Sequence, residues 1–129
     1  AGLADPRVNA VVAVSPPLRL LFEPSSKSGL NAKVLLVSGS RDWVVPSGPE
    51  AIRPMRESGA VELGHRLVLV GGADHFNMSN LWGEAQPALI WPVILVWLNE
   101  QLQVPRSPIF SKGGWGDQQV QLVDVSERL

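Results

Sequence analysis

Ala32-Lys33-Val34-Leu35-Leu36-Val37-Ser38-Gly39-Ser40-Arg41-Asp42 decides the fold. Its apolar part is continuous, and Ser38-Gly39-Ser40 stops it. A strand without apolar/polar alternation is buried on both faces, and such strands belong to parallel sheets. Two further runs read the same way. Val8-Asn9-Ala10-Val11-Val12-Ala13-Val14 is closed by Ser15-Pro16-Pro17, and Arg66-Leu67-Val68-Leu69-Val70 is closed by Gly71-Gly72. Parallel neighbours need a crossover of a dozen or more residues, and the intervals between these runs are long enough. The expectation is an α/β fold of three parallel strands with flanking helices.

The crossovers read as follows. Between the second and third runs, Ser47 suits a helix N-cap and Glu50, three residues on, completes a capping box. Pro49 fits the first turn and Gly59 the C-terminal stop. Pro54 falls inside and is expected to kink or split the helix. Leu18 to Leu30, with Pro24, three serines and Gly29, reads as a loop holding one helical turn at most. After the third run, Leu81 to Leu102 places Trp91, Ile94, Leu95, Leu98 and Leu102 at helical spacing. This pattern predicts a core helix on the sheet in preference to a lipid-facing surface. Pro87 and Pro92 put its firm start near Pro92.

Residues 104–129 read as an extension beyond a unit of residues 1–103. Gly113-Gly114-Trp115-Gly116 reads as a flexible turn with Trp115 exposed or in contact with a part of the protein outside these 129 residues. Val120 to Val125 is a short strand or part of a mobile tail.

The chain has 129 residues, 45% of them hydrophobic, and a formal net charge of −1. That is enough for one domain or part of one. It supplies no basic stripe for nucleic acid. With no cysteine, disulfides, thiolate catalysis and cysteine-ligated zinc are excluded. The longest apolar run, Pro87 to Leu98, has 12 residues, against about 20 for a transmembrane helix. The start at Ala1-Gly2-Leu3 reads as a processed product or a fragment. No localisation follows from composition.

Asp42 follows the second strand and His75, in Gly72-Ala73-Asp74-His75-Phe76, follows the third. Loops at the carboxyl ends of parallel strands converge on one site, and neighbouring strands lie about 4.8 Å apart. An acid and a histidine so placed suit nucleophilic hydrolysis. The carboxylate fixes the imidazole tautomer, and the imidazole takes a proton from a hydroxyl. Adjacent extended residues point oppositely, so Asp74 is the poorer orienting acid. Pooling Asp42, Asp74 and His75 as metal ligands lacks the usual spacing, and no metal or cofactor is expected. His65, beside Gly64 and Arg66, reads as a solvated residue at the strand's start.

The pattern of strand–Gly-Ser-x-Asp-x-x-Val-Pro followed by strand–Gly-x-x-His resembles the C-terminal half of an α/β-hydrolase. Within that fold it is most similar to the dienelactone hydrolase, cutinase and platelet-activating-factor acetylhydrolase esterases. Asp5-Pro6-Arg7-Val8-Asn9-Ala10-Val11-Val12-Ala13-Val14-Ser15-Pro16 resembles the strand after the nucleophile helix of that group. The resemblance spans roughly residues 1–103 and implies the last three strands and the final helix of an eight-stranded sheet. It implies Asp42 as triad acid and His75 as general base. Ser15 and Pro16 would line the site, and Trp43 and Phe76 would wall an apolar pocket for a small ester.

The Gly-x-Ser-x-Gly elbow of the family is absent, as is the segment giving the other oxyanion donor. Ser15, Ser38, Ser40, Ser47 and Ser79 all lack that setting. The resemblance therefore implies a serine hydrolase whose nucleophile lies on a missing N-terminal part, with this chain inactive alone. The alternative is a non-catalytic hydrolase-like module that binds a partner or ligand. Either way the first strand is expected to carry an uncovered edge. The missing half, a second copy or the Val120–Val125 tail would cover it.

Overall fold

A computed structural model describes residues 5–21, 32–76, 78, 86–113, 115 and 122–124. Three strands, β1 (Ala10–Val14), β2 (Lys33–Gly39) and β3 (Arg66–Val70), lie side by side and parallel in chain order. Val12 pairs with Leu35, and Val37 with Val68. The α/β class is thus present, with one addition. β4 (Leu122–Asp124) joins antiparallel to β3, pairing Val123 with Leu69. The strand expected within Val120–Val125 therefore lies beside β3, and does not cover β1.

The absence of alternation in β2 and β3 has a direct cause, since both faces are covered. Leu35, Val37, Val68 and Val70 face a layer holding Val93, Ile94, Trp97, Phe110 and Trp115. Leu36 and Leu67 face Ala51, Met55 and Ala60 on the other side. Burying one such Leu or Val side chain contributes about 1.5–3 kcal/mol, so both layers hold the central strands. β1 departs from the expectation. Its residues are only half-buried and Val14 is 41% exposed; among the described residues β1 has a neighbouring strand on one side only.

After β1 comes a single helical turn, α1 (Leu18–Leu21). The second crossover is split at Pro54, as its ring requires. A π-helical turn, Gly48–Ile52, runs into α2 (Arg53–Glu57), and Arg53 N–H reaches back to the Gly48 carbonyl. Pro54 has no N–H for the Glu50 carbonyl and its ring crowds it; a wider turn relieves both. The capping box does not form. Ser47 is itself helical without a side-chain cap, and Glu50 Oε2 instead accepts the Arg19 N–H at 2.9 Å. Gly59 ends the helix with φ +61°. Gly59 N–H bonds Arg56 O and Ala60 N–H bonds Met55 O, the double closure of a Schellman ending.

The last helix, α3 (Gln86–Gln101), starts a turn and a half before Pro92 and passes through it. Residues 81–85 of the expected helix, including Trp82, lie outside the described residues. Packing of Ile90 and Val93 on the sheet outweighs the one helical bond that Pro92 cannot make. The stripe expected to face the core is divided. Ile94 is buried, and Leu98 packs on the core in part. Trp91, Leu95 and Leu102 are 64%, 59% and 65% exposed. Trp97, not Trp91, is the buried indole of this helix.

Two more readings change. Trp115 is buried, stacked on Phe110 at 5.1 Å, with Nε1–H donating to the Phe110 carbonyl at 2.9 Å. An aromatic with a satisfied N–H is a stable core residue, so it anchors the extension to the sheet layer.

His65 is buried, and its Nδ1 accepts the Val34 N–H at 3.0 Å. Burial, with Lys33 and Arg66 nearby, holds its pKa below the ordinary histidine value. Neutral His65 thus stabilises the fold fully above that ordinary value, about pH 6.5, and the contribution is lost as pH falls through the lower folded value. Thermal melts should drop on acidification below that point. His65→Gln, which can still accept the Val34 N–H, should flatten that part of the profile. An unchanged acid profile in His65→Gln would refute the assignment.

Candidate active site

The carboxyl ends of β2 and β3 are laced together by backbone. Ser40 N–H donates to Val70 O at 3.0 Å, and Arg41 N–H to Ala73 O at 2.9 Å. Gly72 N–H donates to Ser40 Oγ at 2.8 Å. Gly72 sits at φ +76°, a conformation open to glycine at little cost. Gly39 has a different reason. A Cβ there would land on the Ala73 carbonyl, with the carbonyl carbon at 2.9 Å. The loops after β2 and β3 lie this close only because residue 39 has no side chain.

This lacing delivers Asp42 to His75. The Asp42 side chain is fully buried. Its Oδ1 accepts the backbone N–H of Val44 at 3.0 Å and of Val45 at 2.7 Å. Its Oδ2 lies 2.9 Å from His75 Nδ1. A carboxylate only accepts, so Nδ1 is the donating nitrogen, and in the neutral ring Nε2 keeps the lone pair. The imidazole is a third exposed while its acid is sealed. A partly open imidazole held by a buried carboxylate is chemically able to accept a proton.

Asp74 is engaged differently: its Oδ1 accepts the Phe76 N–H at 2.9 Å, an Asx turn that shapes the His75 loop. Among the described residues no group of three or more His, Asp or Glu side chains gathers as a metal site.

Trp43 and Phe76 come together beside the pair. Their ring centroids are 5.7 Å apart, and Phe76 meets His75 edge-on at 5.9 Å. Trp43 is 69% exposed, so the two rings form an open apolar shelf. Ser15 and Pro16 lie at the same end of the sheet but just after β1, with β2 between β1 and the histidine's strand. Ser15 is buried, its Oγ has no hydrogen-bond partner, and its φ is +48°. That left-handed backbone costs a non-glycine residue about 1–2 kcal/mol.

Ser79 lies outside the described residues. A cavity of about 90 Å³ between Arg66, Trp97, Glu100 and Phe110 is at the amino end of β3, remote from the pair.

Sequence reading missed two features. Ser40 serves as the acceptor that ties the two loops, and Ser15 is strained. The adjacency of Ser40 to Gly39 was the only available signal for the first; no signal marked the second. Comparison with family profiles, with curated proteins and with solved structures found no match. Among the described residues no helix is long and apolar enough to cross a membrane.

Proposed function

We propose that this chain supplies the acid and the base of a serine hydrolase acting on carboxylic esters, with the serine and the oxyanion donors carried by a segment outside its 129 residues. The observation that carries the reading is the 2.9 Å contact between the sealed Asp42 carboxylate and Nδ1 of the partly open His75. In this scheme His75 Nε2 takes the serine proton as Oγ attacks the ester carbonyl. Asp42 holds the tautomer and stabilises the imidazolium, which then protonates the departing alcohol. Water attacks the acyl-serine in the same way. The Trp43–Phe76 shelf suits an apolar acyl or alcohol group. The choice of esters over amides rests on the resemblance to the esterase group alone.

The isolated chain is expected to show no turnover of an activated ester and no adduct with a fluorophosphonate. Supplying the polypeptide encoded ahead of Ala1 should give turnover that His75→Ala abolishes. If that polypeptide has no Gly-x-Ser-x-Gly, the chain is a binding module instead.

One observation favours a second reading, in which the nucleophile is Ser15. A serine in a strained strand-to-helix turn is the setting of a nucleophile elbow, and Ser15 stands between β1 and α1 with φ +48°. Its buried hydroxyl weighs against attack in this conformation. A fluorophosphonate adduct on the isolated chain, absent in Ser15→Ala, would establish it and end the split-site proposal.

A further inference from the structure

α3 is apolar on two faces, and among the described residues only one of them packs on the sheet. Ile90, Val93, Ile94 and Trp97 lie on the sheet. Trp91, Leu95, Leu98 and Leu102 follow one another at intervals of four, three and four. At 100° per residue they fall within an arc of roughly 60°. Three of the four are more than half exposed. That spacing is a coiled-coil seam, and a helix apolar all round is normally covered all round.

We propose that this seam is the interface of a two-fold dimer, in which a second copy of the chain lays its α3 antiparallel along the first. The spacing itself reads the same in both directions about a centre between residues 96 and 97. A two-fold axis there sets Trp91 against Leu102 of the partner subunit, and Leu95 against Leu98 of the partner subunit. The largest side chain meets the end of the seam in each direction, as a self-complementary patch requires.

Charge favours the same occupant. The only ionisable side chain between Gln86 and Gln101 is Glu100, and its Oε2 accepts the Phe110 N–H at 2.8 Å. Nothing on the seam repels its own copy. A helix lying on lipid usually carries Lys or Arg on its polar face, and α3 has neither.

The area sets the strength. Each seam exposes roughly 400 Å² of apolar side chain, within the size range of functional patches. A pair then covers about 800 Å² before its polar rim is counted, below the roughly 1,000 Å² that a stable specific interface clears and in the range of weak, transient contacts. The dimer is therefore weak and concentration-dependent. It is independent of the hydrolase reading, and His75→Ala should leave it intact.

Sedimentation of the full chain from about 1 µM to 0.5 mM should show the mass rising from one chain to two. Leu95→Glu, at a surface position, should remain monomeric throughout with an unchanged far-ultraviolet spectrum. The register has its own test, because the sequence lacks cysteine. Leu95→Cys mixed with Leu98→Cys should cross-link on mild oxidation. Trp91→Cys alone should not, because its two copies would lie about 16 Å apart along the axis, beyond disulfide reach.

A monomer at every concentration would overturn the proposal. So would a dimer that survives Leu95→Glu, which would place the contact elsewhere, at the β1 edge for instance. Rapid self-cross-linking of Trp91→Cys would overturn the antiparallel alignment. A monomer that floats with phosphatidylcholine vesicles in a Leu95-dependent manner would assign the seam to lipid.

Discussion

Gly39→Ala should lower the melting temperature of this chain by roughly 10 °C, corresponding to about 3 kcal/mol. The added methyl would occupy the position of the Ala73 carbonyl oxygen. Two backbones would have to part, because no flexible side chain is available to move. Separating them also lengthens the bonds from Ser40 to Val70 and from Arg41 to Ala73, so the site should loosen with the fold. Gly48→Ala is the matched control. A Cβ there meets nothing within 4 Å, and its effect should stay within about 0.5 kcal/mol. Equal melts for the two variants would mean that the β2 and β3 loops are not held by this close approach.

Asp42 separates stability from chemistry. Asp42→Ala removes the acceptor for Val44 N–H, Val45 N–H and His75 Nδ1 together. Leaving these part-buried donors unpaired costs about 1 kcal/mol or more, so this variant should melt a few degrees lower. Asp42→Asn keeps one oxygen for the two valine amides and should cost about 1 kcal/mol. Its amide NH₂ would face Nδ1, which forces the hydrogen to Nε2.

Imidazole nitrogen chemical shifts of the isolated chain report this directly. They should show Nδ1–H in the parent protein and Nε2–H in Asp42→Asn. In an assembled enzyme the same variant should lose about 10⁴-fold in turnover, because Nε2 could no longer accept the serine proton. An unchanged tautomer would remove Asp42 from the orienting role.

The parallel core was legible because burial on both faces writes itself as unbroken apolarity, as in Val34–Val37 and Leu67–Val70. The contact of Asp42 with His75 followed from placing each just past a strand end. What was not legible depended on distance across the sheet. Gly39 reads in sequence as a turn residue, and only the neighbouring strand turns it into a point of contact. His65 looks solvated from Gly64 and Arg66 beside it, yet the Val34 N–H that it serves lies one strand away.

The α3 stripe misled for a related reason. Helical spacing identifies residues that share a face, but when every face is apolar it cannot say which one meets the sheet. Pro92 likewise counted against a helix locally, and was outweighed by packing that appears only in three dimensions. Ser47 and Glu50 had the right spacing for a cap, but Arg19 claimed the glutamate from 31 residues away.

The two margins of the sheet are unequal, and this gives the molecule a direction of growth. On the β3 side, among the described residues, the sheet ends in three residues of β4 running the opposite way, a short margin. On the β1 side it ends in five apolar residues that still run with the rest. Among the described residues, the β1 flank is the one that offers a parallel edge for a further strand. A designed peptide that docks beside β1 would act as a reversible plug of that edge.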